Sequence, residues 1–170
     1  PRTASRFVEA KRALTTVGSV ATRVAATAEP GTGAGSSAGE GGQLRISSDG
    51  GVTWSLPLAA ANGFCGGQCF FDMAPAIDPN NASIIYLGGQ AGSTCSRLLI
   101  ESTDGGATFT PIDTGLHADV HAVVPAPSNS AIIYCGNDGG IWRSVTSGST
   151  WTSLNNAGFN ATQFQSLALH

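Results

Sequence analysis

The segment His117-Ala118-Asp119-Val120-His121 would place two imidazoles and a carboxylate on one face of an extended strand, because strand side chains alternate. That is half of a divalent-metal site. Three ligands on a single strand rarely converge on one ion at the roughly 2.0–2.2 Å that zinc requires. The structural alternative is that Asp119 hydrogen-bonds one histidine and caps a strand start. His117, Asp119 and His121 therefore stand as metal candidates beside that plainer role.

The four cysteines offer a second chemistry. Cys65 and Cys69 lie in a glycine-rich loop, Cys95 follows an Ile-Ile-Tyr run and Cys135 sits inside a similar run. A lone Cys-x₃-Cys with no adjacent histidine and no second pair is a poor zinc signature. Disulfides in a secreted or periplasmic protein fit the pattern better. Four cysteines allow three connectivities. A Cys65–Cys69 bridge would close an insertion, leaving Cys95 and Cys135 paired or free. Cys135 occupies the place that Leu87 holds in the repeat, which suits a buried thiol. No Ser-His-Asp set and no phosphate-cradling loop is visible, and no cofactor is implied.

The elements that would position these groups are repeats. Ser47-Ser48-Asp49-Gly50-Gly51-Val52-Thr53-Trp54 recurs as Ser102-Thr103-Asp104-Gly105-Gly106-Ala107-Thr108-Phe109. A third copy, Ser144-Val145-Thr146-Ser147-Gly148-Ser149-Thr150-Trp151, has threonine in place of the aspartate. Asp-Gly-Gly between apolar runs signals a hairpin, because glycine takes positive φ without steric cost. Asp49 and Asp104 are expected to accept hydrogen bonds from their own turns, and the terminal aromatic to fold back over the turn. A second repeat pairs Asp78-Pro79-Asn80-Asn81-Ala82-Ser83-Ile84-Ile85-Tyr86-Leu87-Gly88 with Ala126-Pro127-Ser128-Asn129-Ser130-Ala131-Ile132-Ile133-Tyr134-Cys135-Gly136. The two phases together give four antiparallel strands per unit of about 40–50 residues, which is a propeller blade. The expectation is an all-β chain of about three blades, near 22–70, 71–115 and 116–160, with 161–170 starting another and the ring incomplete. Residues 1–21 would end a preceding blade or form an N-terminal extension, with 5–14 either an outer strand or a short amphipathic helix.

That motif order resembles the Asp-box, or BNR-repeat, propellers of sialidases, sortilin-type receptors, xyloglucan-cleaving glycosidases and many secreted bacterial proteins. Under it, Ser47, Asp49, Gly51, Trp54, Ser102, Asp104, Gly106, Phe109, Ser144, Gly148 and Trp151 are structural. The resemblance also draws attention to Asp138, in Asn137-Asp138-Gly139-Gly140-Ile141-Trp142-Arg143. This stretch is similar to the Asp-Gly-Gly-aromatic-Arg segment of xyloglucan-type glycosidases, in which a matching aspartate is catalytic. Glycoside hydrolysis needs two carboxylates across the bond, and no partner for Asp138 is evident in the sequence. Nothing resembles a sialidase arginine triad or its Tyr-Glu pair. Asp-Gly chemistry alone makes Asp138 a turn residue.

Composition sets the outer limits. Charged residues are 11% of the chain and glycines number 23, a balance common among extracellular β proteins. Arg2, Arg6, Lys11, Arg12 and Arg23 gather the positive charge at the start, and the remainder is acidic. That distribution argues against nucleic-acid binding. No apolar run is long enough to span a membrane as a helix. Two functions follow as expectations: a non-catalytic secreted propeller module that binds protein or glycan, favoured here, and a part of a glycan-active hydrolase. The expected partners are the rest of the ring, in the same or other chains.

Overall fold

The computed structural model describes residues 10–14, 22–29, 41–69, 71–90 and 98–156. Eleven strands are assigned among them: β1 (Ala10–Leu14), β2 (Arg23–Glu29), β3 (Gly41–Ser47), β4 (Met73–Ile77), β5 (Ile85–Gly89), β6 (Leu99–Ser102), β7 (Thr110–Pro111), β8 (Val120–Ala126), β9 (Asn129–Asn137), β10 (Gly140–Ser144) and β11 (Thr152–Ser153). The only helical pieces described are two 3-10 turns, Ala59–Ala61 and Gly66–Gln68. The strands form three sheets, ordered β1-β2-β3, β4-β5-β6-β7 and β8-β9-β10-β11. Every pairing is antiparallel. The molecule is built of β-propeller blades, as the two repeat phases indicated.

Two differences from the repeat are informative. Ala10–Leu14 pairs with β2 and is the first strand of the first sheet, so that sheet starts ahead of residue 22. Among the described residues no fourth strand is assigned to it. Ser55 and Leu58 donate backbone bonds to Ile46 and Leu44, as a fourth strand would. The Ile46 N–H, however, goes to the Ser55 hydroxyl rather than to a carbonyl. Pro57 between them has no N–H to give. Residues 161–170 and Cys95 lie outside the described residues.

The sheets stack face to face. Val24, Ala26 and Leu44 of the first meet Met73, Ile77, Ile85, Leu87 and Ile100 of the second, with Phe64, Cys65 and Cys69 filling the gap. The fill is tight, since a Cβ on Gly89 would lie 2.5 Å from Cys65 Cβ. Ala74, Ala76, Tyr86 and Leu99 of the second sheet meet Val120, Val123, Ile133 and Cys135 of the third. Tyr86 is wholly buried there, whereas its repeat equivalent Tyr134 is 37% exposed on the outward face of the third sheet, near Val124 and Ile141. A polar latch joins the same two sheets. The Ser130 hydroxyl donates to buried Asp78 Oδ1, which also accepts from the N–H groups of Asn80 and Asn81.

Candidate functional site

The two ends of each sheet do different work. The first strand of a sheet starts, and its second-to-third hairpin turns, at one end: Val120 pairs with Asn137, and Asn137 with Gly140. The repeated Asp-Gly-Gly turns follow the third strand and so lie at the opposite end.

The repeated turns are fasteners. In the second sheet Ser102 Oγ donates to Asp104 Oδ1, and the Thr108 N–H and hydroxyl donate to the same carboxylate. Ser102 Oγ in turn accepts from the Gly106 N–H. Asp49 repeats this set with Ser47, Gly51 and Thr53. The Thr108 hydroxyl, the Thr108 N–H and the Ser102 hydroxyl hold the Asp104 carboxyl down at about 2. Asp49 is lowered too, through the Thr53 hydroxyl first, then the Thr53 N–H and Ser47. The third copy keeps the geometry without the charge: the Thr150 N–H donates to Thr146 Oγ1 at 2.9 Å and the Gly148 N–H to Ser144 Oγ at 2.9 Å. Each later turn also presses on the preceding unit. A Cβ on Gly106 would lie 2.6 Å from Leu58 Cδ1, and one on Gly148 2.7 Å from Ile112 Cδ1. Trp54 sits over its own turn beside Gly51. Phe109 and Trp151 instead reach the packing between sheets, where Trp151 Nε1 donates to the Ile112 carbonyl at 2.6 Å.

The opposite end holds the cluster of chemical interest. His121, the second residue of β8, stands between two carboxylates. Its Nε2 is 2.7 Å from Asp138 Oδ1, and its Nδ1 is 3.0 Å from Asp72 Oδ1, an ion-pair contact. Asp72 is the residue before β4, and its side chain is 1% exposed; those of Asp138 and His121 are 24% and 31% exposed. The Phe71 ring meets the imidazole edge to face at 5.1 Å and 80°. Asp138 occupies the β9–β10 turn, as Asp-Gly chemistry suggested. Its neighbours are tied down: Asn137 Oδ1 accepts from the Gly139 N–H, and the Asn155 amide donates to the Gly139 carbonyl.

The candidate metal set does not assemble among the described residues. Asp119 takes a left-handed φ of 61° just before β8 begins at Val120. The alternation that would have aligned His117, Asp119 and His121 therefore does not run through them. His117 instead packs on the β9–β10 turn, where a Cβ on Gly139 would lie 2.5 Å from its ring. Among the described residues no group of three or more His, Cys, Asp or Glu is placed to hold a metal. Asp72 was not singled out from sequence. It closes the Cys-rich insertion, and nothing in the spacing of residues 72, 121 and 138 announces that they meet. Cys65 and Cys69 form a disulfide with Cα atoms 4.9 Å apart. Cys135 is a buried free thiol, pushed up to about 12 by burial.

Comparison with known proteins points in one direction. Over 114 residues the chain is 32% identical to a xyloglucanase from Hypocrea jecorina (strain QM6a), covering 65% of this chain and 13% of that protein. The fold matches the crystal structure of a GH74 enzyme from Niastella koreensis with a TM-score of 0.61 and 24% identity. That match covers 87% of this chain and 22% of the other. A GH74 xyloglucanase from Xanthomonas campestris matches with a TM-score of 0.55 and 20% identity, over 81% of this chain and 22% of that enzyme. No family model matches the chain. The chain thus spans about a fifth of the length of each solved enzyme. The leaning toward a non-catalytic module finds no support in these relatives, which favour the hydrolase alternative. No described helix is long and apolar enough to cross a membrane.

Proposed function

We propose that these blades belong to an extracellular β-propeller glycoside hydrolase acting on a xyloglucan-type β-glucan, with Asp138 as one carboxylate of its site. The observation that carries this reading is the 32% identity to a xyloglucanase over 114 residues. The position of Asp138 agrees with it. The residue is partly exposed, on a turn at the sheet end remote from the repeated fasteners, with an exposed aromatic, Phe71, close by against His121. Aromatic faces suit the apolar faces of sugar rings.

Asp72 does not supply the second carboxylate. It is 1% exposed and His121 stands between it and Asp138, so no glycosidic bond fits in the gap. The partner would therefore come from another part of the ring, facing Asp138 at the spacing that glycoside hydrolysis requires. The Cys65–Cys69 disulfide suits the oxidising compartment that this role implies.

The test is hydrolysis of xyloglucan by the full-length gene product and its Asp138→Asn variant. Loss of roughly 10²–10⁴ in rate, the usual worth of a positioned acid or base, is expected with little change in Tm. A full-length protein that leaves xyloglucan intact rejects the reading. An Asn variant as fast as the wild type rejects the role of Asp138 and supports a module that binds protein or glycan without cleaving it.

A further inference from the structure

We propose that His121 is a positioning residue for the Asp138 carboxylate, with buried Asp72 as the anchor that orients the imidazole. The proposal rests on the assignment of Asp138 to the hydrolytic site and goes beyond it to residues that nothing in the sequence connected. Three separate segments build the arrangement: the loop before β4, the start of β8 and the β9–β10 turn. Two adjacent blades thus contribute to one carboxylate.

Each contact has a distinct consequence. Asp72 Oδ1 at 3.0 Å from Nδ1 fixes which ring nitrogen faces the interior. A carboxylate that faces one ring nitrogen sets the ring's orientation and leaves the other nitrogen for the functional group, as second-shell carboxylates do for ligating histidines. Phe71 meets the ring at 80° and limits its rotation. Nε2 is then held 2.7 Å from Asp138 Oδ1, with one proton in the bond between them. That bond fixes the plane of the Asp138 carboxylate. Among the described residues Oδ2 makes no hydrogen bond, which leaves it for substrate or water. The turn backbone beneath is fixed separately, by Asn137, Asn155 and the packing of His117 on Gly139. Removing the imidazole should therefore loosen the carboxylate while the turn stays in place.

A purely structural clamp is the competing explanation. The interface between the second and third sheets already has an apolar core and the Ser130–Asp78 latch, so it does not depend on His121 for cohesion. The outcomes separate the two. In the full-length protein assayed on xyloglucan, His121→Ala should lower kcat roughly 10²-fold, the cost of misplacing a catalytic group by about 1 Å, with KM little changed. Added imidazole should restore part of that loss, which a folding defect would not permit. Asp72→Asn, which keeps the size and one acceptor, should lower kcat about 10-fold. Should the alanine variant fail to fold, His121→Gln carries the test through its pH–kcat profile. A profile displaced from the wild type supports positioning, and a superimposable one overturns it. An inactive Asp138→Asn beside a His121→Ala variant with wild-type kcat refutes the positioning role and leaves the hydrolase reading standing. An active Asp138→Asn, or a wild type without hydrolysis, refutes both.

Discussion

The second and third of the repeated turns after the third strands are built to one plan with different chemistry at the centre. In one the Asp104 carboxylate, in the other the Thr146 hydroxyl, accepts from the N–H of the threonine four residues on and is hydrogen-bonded to that threonine's hydroxyl. Both also use a serine, Ser102 or Ser144, to accept from the N–H of a positive-φ glycine. The turn is therefore defined by backbone shape and by where acceptors lie. Charge strengthens it without being needed for its geometry.

If shape dominates, the glycines should matter most and should matter equally in both turns. Gly106→Ala and Gly148→Ala force a side chain into φ of +92° and +80° and against Leu58 and Ile112. Left-handed strain alone costs about 1–3 kcal/mol for a residue other than glycine. Urea unfolding should show comparable losses for the two, and a large loss at Gly106 alone would break the comparison.

The serines should come next. Ser102 and Ser144 are almost wholly buried. Ser102→Ala or Ser144→Ala leaves a buried glycine N–H without its acceptor, at about 1–3 kcal/mol. The same unfolding measurement, made at pH 7, should find the two losses alike.

Charge should give the smallest effect and the only difference. Because the folded Asp104 carboxyl is lowered to about 2, its contribution is complete above the unfolded value of about 4 and fades as pH falls from there through about 2. Asp49, also lowered, behaves the same way with its midpoint further down. Thr146 contributes nothing to that acid limb. Asp104→Thr should flatten part of the fall in Tm between about pH 4 and 2, and Thr146→Asp should steepen it while raising Tm slightly at pH 7. Acid profiles identical to the wild type would show that these exposed carboxylates gain nothing from their turns.

The fold was legible because it repeats. Ile85-Tyr86 and Ile133-Tyr134 lie in β5 and β9 in equivalent places, and the glycine turns gave the hairpins. Where a segment broke the local rule, the reading stopped short. Thr53-Trp54-Ser55-Leu56 stands where the repeat calls for a closing strand, but the Ser55 hydroxyl takes the Ile46 N–H that strand pairing needs. The candidate site was half legible. Asp138 drew attention only through the resemblance of its segment, its Asp-Gly chemistry alone marking a turn, whereas its contacts arise from the stacking of one blade on the next. His121 was read as part of an extended stretch with His117 and Asp119, and the left-handed backbone at Asp119 cancels that alternation. Asp72 carries no local signature at all, since its role exists only once two sheets meet.

Cys135 turns the interface between the second and third sheets into something that can be timed. Its thiol is fully buried among Tyr86, Leu99 and Val123, and burial suppresses the reactive thiolate. A thiol reagent can reach it only when the two blades part. Under native conditions its labelling rate therefore counts separations of those blades, in the way that amide exchange counts local openings. Mass analysis of the peptide containing residue 135 would read that clock, independently of any activity the protein has.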